Sequence, residues 1–119
     1  MKIAISSSGP GLESALDSRF GRAAGFVVYD TDSGANEYVD NTQNLNAAQG
    51  AGIQSAQNVA DTGAQVVITG HVGPKAFRAL DHAGIKICLA TEGCVGDAVQ
   101  AFSEGSIKPV DGPDKDGHW

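Results

Sequence analysis

The apolar spacing of this chain changes period once, and that change limits the fold more than any other feature. Up to Asp40 the pattern is that of strands. Residues 2–6 (KIAIS) alternate apolar and polar, as a half-buried strand does. Residues 24–30 (AGFVVYD) and 35–40 (ANEYVD) read as two more, joined by Asp30-Thr31-Asp32-Ser33-Gly34. Glycine supplies a positive φ there, and Asp and Ser bond to the local backbone, which makes a hairpin turn. An antiparallel meander of three strands is expected.

Beyond the polar Asn41-Thr42-Gln43-Asn44 the pattern alternates helix and strand. Ile53, Ala56, Val59 and Ala60 share one face of a helix over 50–62, and Gly63 stops it. Val66-Val67-Ile68 is a continuous apolar run, as in a strand covered on both faces. Pro74 suits the first turn of a second helix, with Ala76, Phe77, Leu80 and Ala83 as its buried stripe and Gly84 as its end. Residues 85–89 form a fifth strand. Val95, Ala98, Val99 and Phe102 mark a third helix over 94–103. The order βββαβαβα, with helix-joined strands parallel and right-handed, gives an α/β fold. Its sheet is mixed and five-stranded, with helices packed on it. Neither an internal repeat nor a linker divides the 119 residues, so one domain over 1–106 and a flexible tail over 107–119 are expected.

The net charge of −6 argues against nucleic acid and anionic membrane as partners, since both need a basic face. No apolar run is long enough to span a bilayer. The amino-terminal residues read as a strand rather than a signal peptide, and the cytoplasm is the expected location. Cys88 and Cys94 are not a CxxC pair and are expected as free thiols.

Within this acidic chain, Arg19, Arg22, Lys75 and Arg78 fall in two glycine-marked segments. In Asp17-Ser18-Arg19-Phe20-Gly21-Arg22, Phe20 can anchor the loop while two guanidiniums offer forked donors to an anion. Pairing of the arginines with Asp17, Glu13 or Asp30 is the alternative. In Thr69-Gly70-His71-Val72-Gly73-Pro74-Lys75-Ala76, a parallel strand ends and a helix begins. Ligands of such sheets sit at that junction, against helix N–H groups; a plain βα turn is the alternative. Gly93-Cys94 opens the third helix and is expected beside the previous loop, where a thiolate would be stabilised; a half-buried Cys at a helix start is the alternative. Cys88 suits core packing. His71 is the histidine best placed to ligate a metal or bond a sulfide. His82 suits an exposed helix face, and His118 is assigned nothing. A Walker A motif, a Ser–His–Asp signature and paired carboxylates on the first strand are all absent, so no enzymatic activity is expected.

Asp17-Ser18-Arg19-Phe20-Gly21-Arg22-Ala23-Ala24-Gly25-Phe26 resembles the FGR-x-x-x-F motif of the dinitrogenase iron–molybdenum cofactor biosynthesis family. Gly50-Ala51-Gly52, the run from Val66 to Ala76, Leu80 and Gly84-Ile85 extend the resemblance over residues 1–106. The resemblance implies a ribonuclease H-like fold and an anionic metal–sulfur cluster as ligand. That ligand would be a molybdenum–copper sulfide cluster or a related iron–molybdenum–sulfur cluster, carried without catalytic turnover. Several cofactor carriers of the family have histidine in place of Arg19; arginine implies charge pairing instead of imidazole ligation. The expected cluster-binding residues are Arg19, Phe20, Gly21, Arg22, Gly70, His71, Val72, Gly73, Pro74, Lys75, Arg78, Gly93 and Cys94. Ile53 adds apolar cover, and His71 and Cys94 are the candidate metal ligands. A regulatory or scaffold role beside a MinD/Mrp-type P-loop ATPase, a partner of some family members, is the competing expectation.

Overall fold

The computed structural model describes residues 1–41, 50–90 and 92–110. Expectations for residues 42–44, for the tail beyond 110 and for His118 lie outside them. The strands are β1 (Lys2–Ser7), β2 (Gly25–Asp30), β3 (Asn36–Asp40), β4 (Val66–Thr69) and β5 (Lys86–Leu89). The helices are α1 (Ala51–Asp61), α2 (Pro74–His82) and α3 (Val95–Ser103). A short 3-10 turn, Phe20–Arg22, was not foreseen from the sequence.

The strands form one sheet in the order β3-β2-β1-β4-β5. The meander is antiparallel, with Ile5 opposite Val27 and Val27 opposite Tyr38. β4 runs parallel to both β1 and β5, with Ile5 beside Ile68 and Val67 beside Ile87. This is the ribonuclease H-like α/β arrangement.

Handedness decides which face each helix covers. α1 links β3 to β4 and α2 links β4 to β5, both moving the same way across the sheet. Right-handed crossovers therefore put both on one face. There Ala4, Phe26, Val28, Val67 and Ile87 pack with Ala56 and Val59 of α1 and Ala76 and Leu80 of α2. α3 follows the last strand and covers the other face. Its Val95, Ala98 and Val99 meet Ile3, Ile5, Val27, Ile68 and Cys88. Among the described residues no helix is long and apolar enough to cross a membrane.

Two expected core positions are corrected. Ile53 is 50 % exposed, because the buried stripe of α1 runs through Ala51, Ser55, Ala56 and Val59 and leaves residue 53 to one side. Ala83 is exposed because α2 ends at His82. Residues 107–110 are packed rather than loose. Val110 N–H donates to the Ile87 carbonyl at 2.8 Å, and Pro109 bridges Cys88.

Candidate functional site

The carboxyl ends of β1 and β4 carry the site. Ser6, buried on β1, accepts the Asp17 amide at its carbonyl (2.9 Å) and donates its hydroxyl to the Asp17 carbonyl (2.5 Å). Its Oγ also lies 2.8 Å from Thr69 Oγ1 at the end of β4. These bonds bring residues 17–20 alongside the chain leaving β4. His71 N–H donates to the Ser18 carbonyl (2.7 Å), Phe20 N–H donates to the His71 carbonyl (3.3 Å), and Arg19 pairs with His71 as a parallel bridge. Gly70 permits this approach. A Cβ there would lie 2.7 Å from Ser18 Cβ and 2.8 Å from its Cα.

Phe20 then sinks into the core against Phe26, ring centroids 5.5 Å apart. Its burial fixes the 3-10 turn, so Arg19 and Arg22 leave it on either side of an anchored residue. The turn abuts α1 through glycines: a Cβ on Gly21 would lie 3.1 Å from Gly52 N. Gly52 in turn faces Ala76, whose Cβ would be 3.0 Å from a Cβ at position 52. Small residues thus draw the turn and the amino ends of α1 and α2 together. Buried Asn41 braces the same region, its Nδ2 donating to the Ala23 carbonyl (3.0 Å) and to Ser55 Oγ (3.1 Å).

The result is a cavity of about 520 Å³. Its walls are Arg19 to Arg22, Gly50 to Ile53, His71, Gly73 to Ala76, and Arg78. The first helical bond of α1 is from Gln54 N–H to the Gly50 carbonyl, and that of α2 is from Phe77 N–H to the Gly73 carbonyl. The amides of residues 51–53 and of Lys75 and Ala76 therefore have no acceptor inside their helices. Pro74 has no amide to give. Arg19 Nε stands 3.5 Å from Asp17 Oδ1, while the same oxygen accepts the Arg19 amide at 2.9 Å. Among the described residues Lys75 and Arg78 have no carboxylate partner. Two helix ends and four cationic side chains thus face one hollow, an arrangement suited to an anion.

Most sequence-expected residues meet here: Arg19, Phe20, Gly21, Arg22, His71, Gly73, Pro74, Lys75 and Arg78 all line the cavity. Gly70 and Val72 stand behind it. Gly70 serves the contact with Ser18, and Val72, 2 % exposed, packs under the site with Phe20. Gly93 and Cys94 are elsewhere, because the chain crosses to the other face after β5. The Gly93 carbonyl accepts from Leu16, Val95 N–H donates to Ser14, and Gly96 N–H donates to Leu12. Cys94 N–H is taken by the Asp97 carboxylate at 3.1 Å, which also sets a negative charge at that helix start. Those amides have their partners, and Cys94 lies apart from His71. Among the described residues no group of three or more His, Cys, Asp or Glu could hold a metal ion.

The sequence reading missed Gly50, Ala51, Gly52 and Ala76 as cavity walls. Two glycines around an alanine at a helix start were the visible signal, because such residues let other backbone come close.

The fold and this pocket define a class: ribonuclease H-like α/β proteins with a cationic hollow between two helix ends. Residues 1–105 match the family described as dinitrogenase iron-molybdenum cofactor, and the chain belongs to that family. The apo form of the orange protein from Desulfovibrio gigas is similar in structure, with TM-score 0.93, 50 % identity and 96 % of each chain covered. A Thermotoga protein named as a NifB candidate gives TM-score 0.81 and 36 % identity, over 96 % of this chain and 98 % of its own. An uncharacterized protein of Methanocaldococcus jannaschii is 29 % identical over 111 residues, 91 % of this chain and 90 % of the relative.

Proposed function

We propose that the protein binds and carries an anionic metal–sulfur cluster, held largely without covalent bonds, and performs no catalytic turnover. The observation that carries this reading is the convergence of Arg19, Arg22, Lys75 and Arg78 with two helix amino ends on one cavity, inside a chain of net charge −6. Family membership and the similarity to the orange protein support it. A molybdenum–copper sulfide cluster is the form we favour. Terminal sulfides accept hydrogen bonds and are weakly hydrated, which suits amide donors set beside Phe20, Ile53 and Ala76. Arginine at position 19 serves charge pairing, and His71 is the one cavity residue able to add a direct metal bond. We assign cluster holding to residues 1–106. Two free thiols, Cys88 and Cys94, suit a reducing compartment, so we place the protein in the cytoplasm.

Reconstitution with tetrathiomolybdate and copper tests this. The wild type should hold visible charge-transfer bands through desalting. A charge-assisted contact is worth roughly 1.5–3 kcal/mol, so the Arg19→Ala, Arg22→Ala double variant should lose at least about tenfold in affinity. Equal uptake by wild type and double variant would place the cluster elsewhere.

A further inference from the structure

We propose that the cavity selects ligands by hydrogen-bond polarity. It admits polyanions that only accept hydrogen bonds and turns away anions that carry hydroxyl or acidic protons, such as citrate, hydrogen phosphate and sugar phosphates. This rests on the reading of the cavity as the cluster site and names the chemistry that defines its ligands.

Among the described residues the cavity wall contains no hydroxyl, carboxylate or carboxamide side chain. It consists of cations, His71, glycines and apolar groups. The nearest carboxylate, Asp17, is engaged by the amide and the Nε of Arg19. The nearest hydroxyl, on Ser55, is buried and bonded to Asn41 and to the Gly21 carbonyl.

Backbone acceptors at the wall are occupied as well. The Gly50 carbonyl accepts from Gln54, that of Gly73 from Phe77, that of Arg19 from Arg22 and that of His71 from Phe20. A ligand proton brought into this space meets donors on most sides. It loses its bond to water without a replacement, and that loss is larger than the gain from any single contact. Anions without protons to donate face no such cost, and weakly hydrated ones also gain from the apolar wall.

The test uses the full-length protein in titration calorimetry at mildly alkaline pH. Hexacyanocobaltate(III) and citrate are both trianions there, and only citrate carries a hydroxyl. Hexacyanocobaltate(III) should bind at least about tenfold more tightly than citrate, the scale on which a site distinguishes a mispaired polar group. Lys75→Ala should weaken its binding, which ties the effect to this cavity. A ratio below tenfold, or hexacyanocobaltate(III) binding that Lys75→Ala leaves unchanged, overturns the proposal. Displacement by tetrathiomolybdate scores the cluster reading separately. If the ratio holds and tetrathiomolybdate does not compete, the polarity rule stands and the cluster assignment falls. If tetrathiomolybdate competes while citrate binds as well as hexacyanocobaltate(III), the cluster assignment stands and the polarity rule falls.

Discussion

Gly70 shows how much one missing carbon governs. Its Cα hydrogen faces the backbone of Ser18, and backbone cannot swing aside as a long side chain would. Gly70→Ala should destabilise the fold by about 1–3 kcal/mol, the usual cost of overpacking, read as a lower urea midpoint. It should also weaken anion uptake, since the strand carrying Arg19 is displaced. An unchanged midpoint would show that the two segments are not in contact. The cysteines offer a second test. Cys88 is fully buried and its thiol is pushed up by that burial, whereas Cys94 is half-buried. Iodoacetamide should modify Cys94 in the native protein and reach Cys88 only on unfolding, as peptide mass spectrometry would report. Native labelling of Cys88 would contradict the central packing of β5.

At the scale of elements, α1 and α2 share a face because consecutive right-handed crossovers leave no other choice, and that rule makes the pocket. Leu80, fully buried between α2 and the sheet, should cost about 2–5 kcal/mol when cut to Ala, seen in chemical denaturation. The opposite end of the sheet provides a pH handle independent of binding. The Met1 ammonium is raised above its usual value of 8.0, chiefly by its bond to Asp32 at 2.8 Å, with Asp30 also near. A raised group stabilises fully below its unfolded value and loses that contribution as pH rises through the folded one. Asp30 is lowered from 3.8, chiefly by the Asp32 backbone amide, so its contribution is held above that value and lost as pH falls further. Melting temperature should therefore fall on both sides of neutrality, and amino-terminal acetylation should flatten only the alkaline limb. The strands, helices and topology were legible because period, turn residues and crossover handedness are local or universal rules. The 3-10 turn was not, since Phe20 is pinned by core contacts distant in sequence. Gly93 and Cys94 were misplaced for a related reason: adjacency of β4 and β5 does not specify the face that the chain takes afterwards. Ile53 fits the helical period, yet its exposure depends on where α1 meets the sheet.

The whole molecule sets a repulsive body against an attractive hollow. It measures 35 × 28 × 25 Å and carries a net charge of −6. The screening length is about 10 Å at 0.1 M salt, shorter than the molecule, so moderate salt hides the distant carboxylates from an approaching anion. Contacts inside the pocket are closer than that. Association of tetrathiomolybdate, followed by stopped flow, should accelerate as salt rises from about 0.01 to 0.1 M; a steady decline would mean that long-range attraction governs the approach. The most direct test of the central claim is a map of backbone amides by nuclear magnetic resonance during titration with tetrathiomolybdate. The amides of Arg19, Gly21, Arg22, Gly52, Ile53, Lys75 and Ala76 should shift together and saturate at one ligand concentration, while those of Gly93, Cys94 and Val95 stay in place. Shifts centred on the start of α3, with the ends of α1 and α2 undisturbed, would contradict it.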